Sequence, residues 1–246
     1  MESQPEKVRL SPKPVFIRGL FTRIAGVYDR LNRMLTFGLD VLWRRRALAR
    51  FAVSCRKGGR IPSSILDVAT GTADLAIAAA RRFPAARVTG VDLTPAMLDV
   101  GRRKVAAADL ADRVSLREGD VLALPFPAGS FGAVMCAFGF RNFADPAAAL
   151  CEVARVLEED GRLLVLELFR PKSCVLGRFV SWWLRSLSAL FAGKVLRDYA
   201  YLDASIGATL SAAEFVAEAS RAGFVVEWKN FCVPACTCLQ FKKVKG

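Results

Sequence analysis

Apolar and polar positions alternate along this 246-residue chain in a way that predicts short strands separated by amphipathic helices. Ile65 to Ala69 is an apolar run broken only by Asp67, the pattern of a buried parallel strand, and Thr70, Gly71 and Thr72 make a turn at its carboxyl end. A helix follows, with apolar positions at Leu75, Ile77, Ala79 and Ala80, with Arg81 and Arg82 in its last turn, and with Pro84 limiting its extension. Val88 to Val91 is the next strand and delivers Asp92. Thr94 and Pro95 read as N-cap and first residue of a helix through Met97, Leu98, Gly101 and Val105. Val114 to Arg117 and Phe131 to Phe138 read as strands, Asp145-Pro146 opens a helix closed near Gly161, and Leu163 to Leu168 is a fifth strand. Ser211 to Glu214 is a capping-box pattern opening a helix that Gly223 ends. Phe224 to Phe231 and Thr237 to Lys242 then read as a closing hairpin. This order of elements predicts an α/β fold with a doubly wound, mostly parallel sheet.

One boundary is visible. The linker from Arg56 to Ser64 separates a helical N-terminal arm, residues 1–60, from a sheet domain, residues 61–246. The chain is long enough for one sizeable core with attached helices. A composition of 53% hydrophobic and 24% charged residues argues against disorder.

The turn after the first strand narrows the ligand. Asp92 lies about twenty residues beyond the turn, the distance at which an acid meets ribose hydroxyls in doubly wound sheets. A dinucleotide site asks for G-x-G-x-x-G facing a pyrophosphate, whereas this chain has Gly71-Thr72-Ala73-Asp74. An aspartate there repels a diphosphate but suits a cationic centre, such as the sulfonium and amino group of S-adenosylmethionine. The alternative is that Asp74 only charges the first helical turn. Asp120, at the end of the third strand, is placed to bond the adenine amino group, or else is a turn aspartate.

The net charge of +13 implies affinity for polyanions. No basic cluster interleaved with aromatics and no nucleic-acid-binding spacing is present, so an anionic membrane surface is the better partner than nucleic acid. The seven cysteines are odd in number and scattered, in a chain without an N-terminal apolar segment of the secretory type, which implies a reducing compartment. Cys232, Cys236 and Cys238 fall one ligand short of a zinc site in a chain with no histidine, and read as small hydrophobes on a strand; no metal is expected.

Taken together, these residues form a pattern that resembles the quinone C-methyltransferases of the UbiE/MenG group. It is carried by YDRLNRMLTFGLDVLWRR (Tyr28 to Arg45), DVATGTADL (Asp67 to Leu75), ALPFPAGSF (Ala123 to Phe131), FGFRNFADPAAAL (Phe138 to Leu150) and RVLEEDGRLLVLEL (Arg155 to Leu168). The arm motif and F-G-x-R-N are specific to this group, while the turn motif is shared by all class I methyltransferases. The resemblance implies a seven-stranded sheet with an antiparallel edge hairpin, S-adenosylmethionine as cofactor, and methylation of a prenylated quinol ring. It implies cofactor contacts at Thr72, Asp92, Asp120, Val121 and Ala137, the last where the family usually has serine. Asp67, Gly71 and Asp74 line the same pocket on the argument above. Tyr28, Asn32 and Phe140 are the implied substrate contacts.

There are departures. Ala73 replaces a glycine and is expected to tighten the approach to the cofactor, Asp40 stands where histidine is common, and the stretches after Ile206 and at Pro234-Ala235-Cys236 differ from the family run. A related enzyme acting on another lipid or small molecule, and a non-catalytic binding module, are therefore kept beside the quinol C-methyltransferase. A nicotinamide oxidoreductase is disfavoured because the dinucleotide turn is missing.

Ring methylation requires an electron-rich carbon, which a quinol provides by losing or sharing a hydroxyl proton of pKa about 10. With no histidine, the base is a carboxylate, a tyrosine or a polarised water. Arg141 and Asn142 follow the fourth strand at its carboxyl end, where open α/β sheets place ligands. Arg141 is assigned to the developing quinolate or to activating a water, and Asn142 to orienting a ring oxygen; the competing role for Arg141 is a pair with a carboxylate of the arm. The insert from Cys174 to Tyr201 carries Trp182 and Trp183 among basic residues, with no stretch approaching the roughly twenty apolar residues of a membrane span. It reads as an interfacial helix or a lid packed on the sheet. Cytoplasmic, peripherally membrane-associated protein is the resulting expectation, with a homodimer left open.

Overall fold

The computed structural model describes residues 12–170, 209–231 and 236–244. Seven strands form one sheet: β1 (Ser64–Val68), β2 (Arg87–Asp92), β3 (Val114–Glu118), β4 (Phe131–Ala137), β5 (Leu157–Leu168), β6 (Phe224–Phe231) and β7 (Cys236–Lys243). Their order is β3-β2-β1-β4-β5-β7-β6, with β1 to β5 mutually parallel and β7 antiparallel to both its neighbours. The edge hairpin is thus inverted in space: β7, the later strand, lies inside β6. Its register places Leu239 beside Val165. Among the described residues seven α-helices accompany the sheet: α1 (Pro12–Ile24), α2 (Tyr28–Leu35), α3 (Leu39–Lys57), α4 (Asp74–Arg82), α5 (Pro95–Ala107), α6 (Pro146–Val156) and α7 (Ala212–Arg221).

The strand alternation produces two cores. Ile65, Ala133, Met135, Leu164 and Leu166 face one side with Phe51 and Leu48 of α3 and Ala76 of α4. Leu66, Val134, Leu163, Val165 and Phe241 face the other with Leu150 of α6 and Phe215 of α7. Each such fully buried large side chain contributes roughly 1.5–3 kcal/mol through removal from water. Helix α3, though read as part of the arm, shares its core with the strands. The Arg56–Ser64 linker therefore marks a change of element inside one core.

Local signals explain most boundaries. Asp145 caps α6 by accepting from the amides of Ala147 and Ala148, and Ser211 and Glu214 close the capping box of α7. Gly223 ends α7 in the left-handed region at φ +84°. Thr94 takes the extended N-cap conformation of α5, yet its hydroxyl does not cap the helix; it bonds Asp92. One expectation fails at the fifth strand. Helix α6 stops at Val156, and β5 starts at Leu157 rather than Leu163. Asp160 turns left-handed at φ +61°, and Gly161 packs where a Cβ would stand 2.8 Å from the Glu158 carbonyl. The charged run Glu158 to Gly161 is thereby folded into the strand as a bulge.

Cys236 and Cys238 are buried in β7, as small hydrophobes would be. Among the described residues no group of histidine, cysteine or acid side chains could hold a metal ion, and no helix is long and apolar enough to cross a membrane. The insert with Trp182 and Trp183, together with Cys174 and Cys232, lies outside the described residues.

Candidate active site

The β1 and β4 carboxyl ends lie where the chain order reverses across the sheet, the position at which open α/β sheets build ligand sites. Both ends turn sharply. Ala69 after β1 and Phe138 after β4 adopt φ of +52° and +62°, and Gly139 is wedged between them, where a Cβ would come within 2.7 Å of Ala69 and 2.8 Å of the Cys136 sulfur. Two non-glycine residues held left-handed side by side are strain of the kind that clusters at functional sites.

Asp92, at the end of β2, staples this corner together. Its Oδ2 accepts the Gly71 amide at 2.8 Å and its Oδ1 the Thr94 amide at 2.9 Å, so one carboxylate holds the turn after β1 against the start of α5. Burial pushes its pKa up, against the lowering effect of those donors. Asp67, one turn below, is 1% exposed. Burial raises its pKa to about 7, opposed by the Thr70 hydroxyl, which donates to Oδ2 at 2.6 Å, and by the charge of Arg44. Its Oδ1 has no hydrogen-bond partner among the described residues.

The resulting pocket encloses about 800 Å³, counting its open mouth. That is within the range of cofactor sites. Of the residues expected from sequence, Gly71, Asp92, Asp120, Val121, Ala137, Asn142 and Tyr28 form its wall. Asp120 anchors its own loop by accepting the Leu122 amide at 3.0 Å. The arm closes the opposite side through Ile17, Phe21 and Tyr28, with Phe21 and Tyr28 edge to face at 5.7 Å.

Six other expected residues stand outside the wall. Phe140 is 2% exposed and packs edge to face on Phe143 and Phe215, because its side of the short 3-10 turn Phe140–Asn142 faces the second core. Asn32 is half-buried on α2, where its carbonyl accepts the Thr36 hydroxyl. Asp67 is buried in β1 and does not line the pocket. Thr72 is buried, donating to Asp29 at 2.6 Å and accepting from Lys104 at 3.0 Å. Asp74 meets Lys104 at 2.5 Å and Arg33 at 2.8 Å, with Arg44 at 3.8 Å. Three cations surround it, so it is not a bare acid presented to a sulfonium.

Arg141 likewise points away from the pocket. Its Nη1 pairs with Glu167 at 2.6 Å and donates to the Phe138 carbonyl at 2.8 Å, with the pair almost wholly buried. The carboxylate it meets comes from β5, not from the arm. The guanidinium therefore holds the strained turn after β4.

Two departures from the family pattern acquire physical meaning. The Ala73 methyl is fully buried and points toward Gly101 of α5, so it does not narrow the pocket; its cost is the left-handed φ of +66° at the N-cap of α4. Asp40 is 2% exposed and receives Arg44 at 2.6 Å, Arg33 and the Thr36 hydroxyl, a structural role within the arm.

Sequence reasoning missed Phe21, Ile17, Met97 and Phe143 in the wall, and Lys104 and Glu167 behind it. Only Glu167 left a signal, as a lone charge in the apolar run Leu163 to Leu168.

The wall suits S-adenosylmethionine on this chain's own geometry. Gly71 lies at φ +56° with Met97 at 3.4 Å from where a Cβ would be, and the acids Asp92 and Asp120 line the wall. Comparison with known proteins gives the same direction. The model of the ubiE/COQ5 methyltransferase family matches residues 9–242. A demethylmenaquinone methyltransferase of Thermus thermophilus is 42% identical over 213 residues, covering 85% of this chain and 93% of its own. A ubiquinone/menaquinone biosynthesis C-methyltransferase UbiE of Geobacter sulfurreducens is 38% identical over 219 residues, covering 88% and 83%. Among solved structures, a SAM-dependent methyltransferase of Thermotoga maritima superposes with a TM-score of 0.62 at 17% identity, covering 92% of this chain and 99% of that one. The YcgJ protein of Bacillus subtilis gives 0.59 at 23% identity, covering 82% and 99%. Both likenesses establish the fold.

Proposed function

The chain belongs to the ubiE/COQ5 methyltransferase family, and from that premise we propose how its pocket carries out S-adenosylmethionine-dependent C-methylation of a prenylated quinol in menaquinone or ubiquinone biosynthesis. The observation that carries the reading is the Asp92 carboxylate, fixed between two strand-end turns and facing a wall with an aromatic arm opposite.

In this reading Asp92 accepts from the ribose hydroxyls, Asp120 and Val121 border the adenine, and Gly71 and Ala137 let the methionine end lie against the strand ends. Thr72, Asp74 and Asp67 act from behind the wall, Asp67 by placing negative potential under a cationic ligand. S-adenosylmethionine supplies an electrophilic methyl group. The protein's part is to orient the ring carbon, exclude water and accept a proton. Asn142 orients a ring oxygen, and Tyr28, with no histidine in the chain, shares the quinol proton. Phe21 and Phe143 flank the ring plane. Arg141 acts as a positioning residue: paired to Glu167, it fixes the turn that presents Asn142. Asn32 and Phe140 support Tyr28 and that turn from outside the wall.

We further propose peripheral attachment to anionic membrane. Phe37 is 72% exposed at the α2–α3 corner, with Leu39 and Leu42 exposed on α3 beside Arg45 and Arg46. Apolar and basic side chains on one corner suit the lipid interface.

Purified protein incubated with S-adenosylmethionine and either a demethylated prenyl naphthoquinol or the corresponding benzoquinol should form a carbon–methyl bond on one ring, read by mass spectrometry. Asp92→Ala should lower cofactor affinity about tenfold or more, read by calorimetry. Product from neither quinol, or native affinity in a folded Asp92→Ala, would overturn the reading.

A further inference from the structure

Helix α2 carries Tyr28 into the pocket wall, yet none of its residues is buried. Its apolar packing is limited to part-buried side chains such as Tyr28, edge to face with Phe21. Glycines flank it: Gly26 before it has open space where a side chain would be, and Gly38 after it turns left-handed at φ +75°. What holds the helix is charge. Lys104 of α5 places its Nζ 2.6 Å from Asp29 of α2, 2.5 Å from Asp74 of α4 and 3.0 Å from the Thr72 hydroxyl. The Thr72 hydroxyl itself donates to Asp29 at 2.6 Å, and Arg33 donates to Asp74 at 2.8 Å. Thr72 follows Gly71, whose amide is gripped by Asp92. The arm is thus tied to the same turn that borders the cofactor.

We propose that Lys104, which does not line the pocket, is a positioning residue that clasps α2 to the cofactor turn, seats Tyr28, and makes α2 a gate over bound cofactor. The helix has the marks of a locally low-stability element, with no buried side chain and attachment by partly exposed ion pairs. Opening the clasp swings Tyr28 out and exposes the cofactor; closing it shields the pocket. The inference rests on the cofactor assignment above and is independent of which quinol is methylated.

The test compares full-length wild type with Lys104→Met, Lys104→Arg and, from the arm side, Asp29→Asn. Two readouts are needed: the dissociation rate of S-adenosylmethionine, and hydrogen exchange of the amides of residues 28–35. Lys104→Met should release cofactor about tenfold faster, the worth of one charged hydrogen-bond set. Exchange in 28–35 should quicken while β1 and β4 keep their protection. Lys104→Arg should restore most of both, Asp29→Asn should act in the same direction as Lys104→Met, and added salt should narrow the gap between wild type and Lys104→Met. Unchanged dissociation and protection in folded Lys104→Met would overturn the gate, as would protection lost evenly through the sheet. Wild-type protein that binds no S-adenosylmethionine would overturn the cofactor assignment instead.

Discussion

The turn after β1 and helix α2 face each other across one pocket, but they are held there by different forces. On the sheet side Asp92 receives two backbone amides, and behind the neighbouring turn Arg141 and Glu167 form an ion pair with side-chain exposures of 7% and 1%. On the arm side α2 has no fully buried residue, and Arg33, its reach to Asp40 and Asp74, is 36% exposed. Bonds shielded from water keep their strength and geometry, whereas partly wet ion pairs are screened and readily exchanged. In the proposed function the charged cofactor meets the wall held by buried bonds. In the same proposal the hydrophobic substrate meets the wall held by partly exposed ion pairs.

The largest expected effect breaks the rigid wall. Arg141→Ala leaves Glu167 buried without its cation and should lower unfolding free energy by about 3–5 kcal/mol, whereas Arg33→Ala should cost about 1 kcal/mol or less, because Arg44 still faces Asp40. Denaturant titration of both variants decides it; similar losses would erase the contrast between the walls.

A smaller effect sharpens it through pH. Asp67 has its native pKa raised to about 7 from 3.8, so the folded state holds this proton more tightly than the unfolded chain. Its contribution to stability is fully present below the unfolded value and is lost as pH rises through about 7. Cofactor affinity should run the opposite way, rising about tenfold from pH about 6 to 8 as the carboxylate ionises beneath a cationic ligand. Asp67→Asn should flatten both curves. A wild-type affinity that is level across this range would remove Asp67 from the cofactor's electrostatics.

The smallest change tests the arm corner. Phe37 is a bulky, exposed residue at φ +52°, and Phe37→Gly should relieve about 1 kcal/mol of backbone strain while weakening sedimentation with anionic vesicles. Higher stability with undiminished vesicle binding would place the lipid contact elsewhere.

The strand-and-helix order, and the residues Gly71, Asp92, Asp120, Val121 and Ala137 that come together in the pocket wall, could be read directly from the chain. Strand ends and turn residues are specified locally: a buried run such as Ile65 to Val68 needs Gly71 and Asp92 at set distances along the backbone, and periodicity records that. Pairings across the fold leave no such trace. Lys104 lies 75 residues from Asp29 and 30 from Asp74, and nothing along the sequence marks their meeting. Arg141 shows the same limit in reverse. Its place after the fourth strand invited a catalytic role, but Glu167, 26 residues on, neutralises it within the core. The sequence by itself determined the strands, the helices and the acid that lines the pocket, because hydrophobic period and turn chemistry act between near neighbours. The tertiary structure alone decided which charges face the pocket and which face one another, because burial makes the nearest opposite charge, however distant in sequence, the controlling partner.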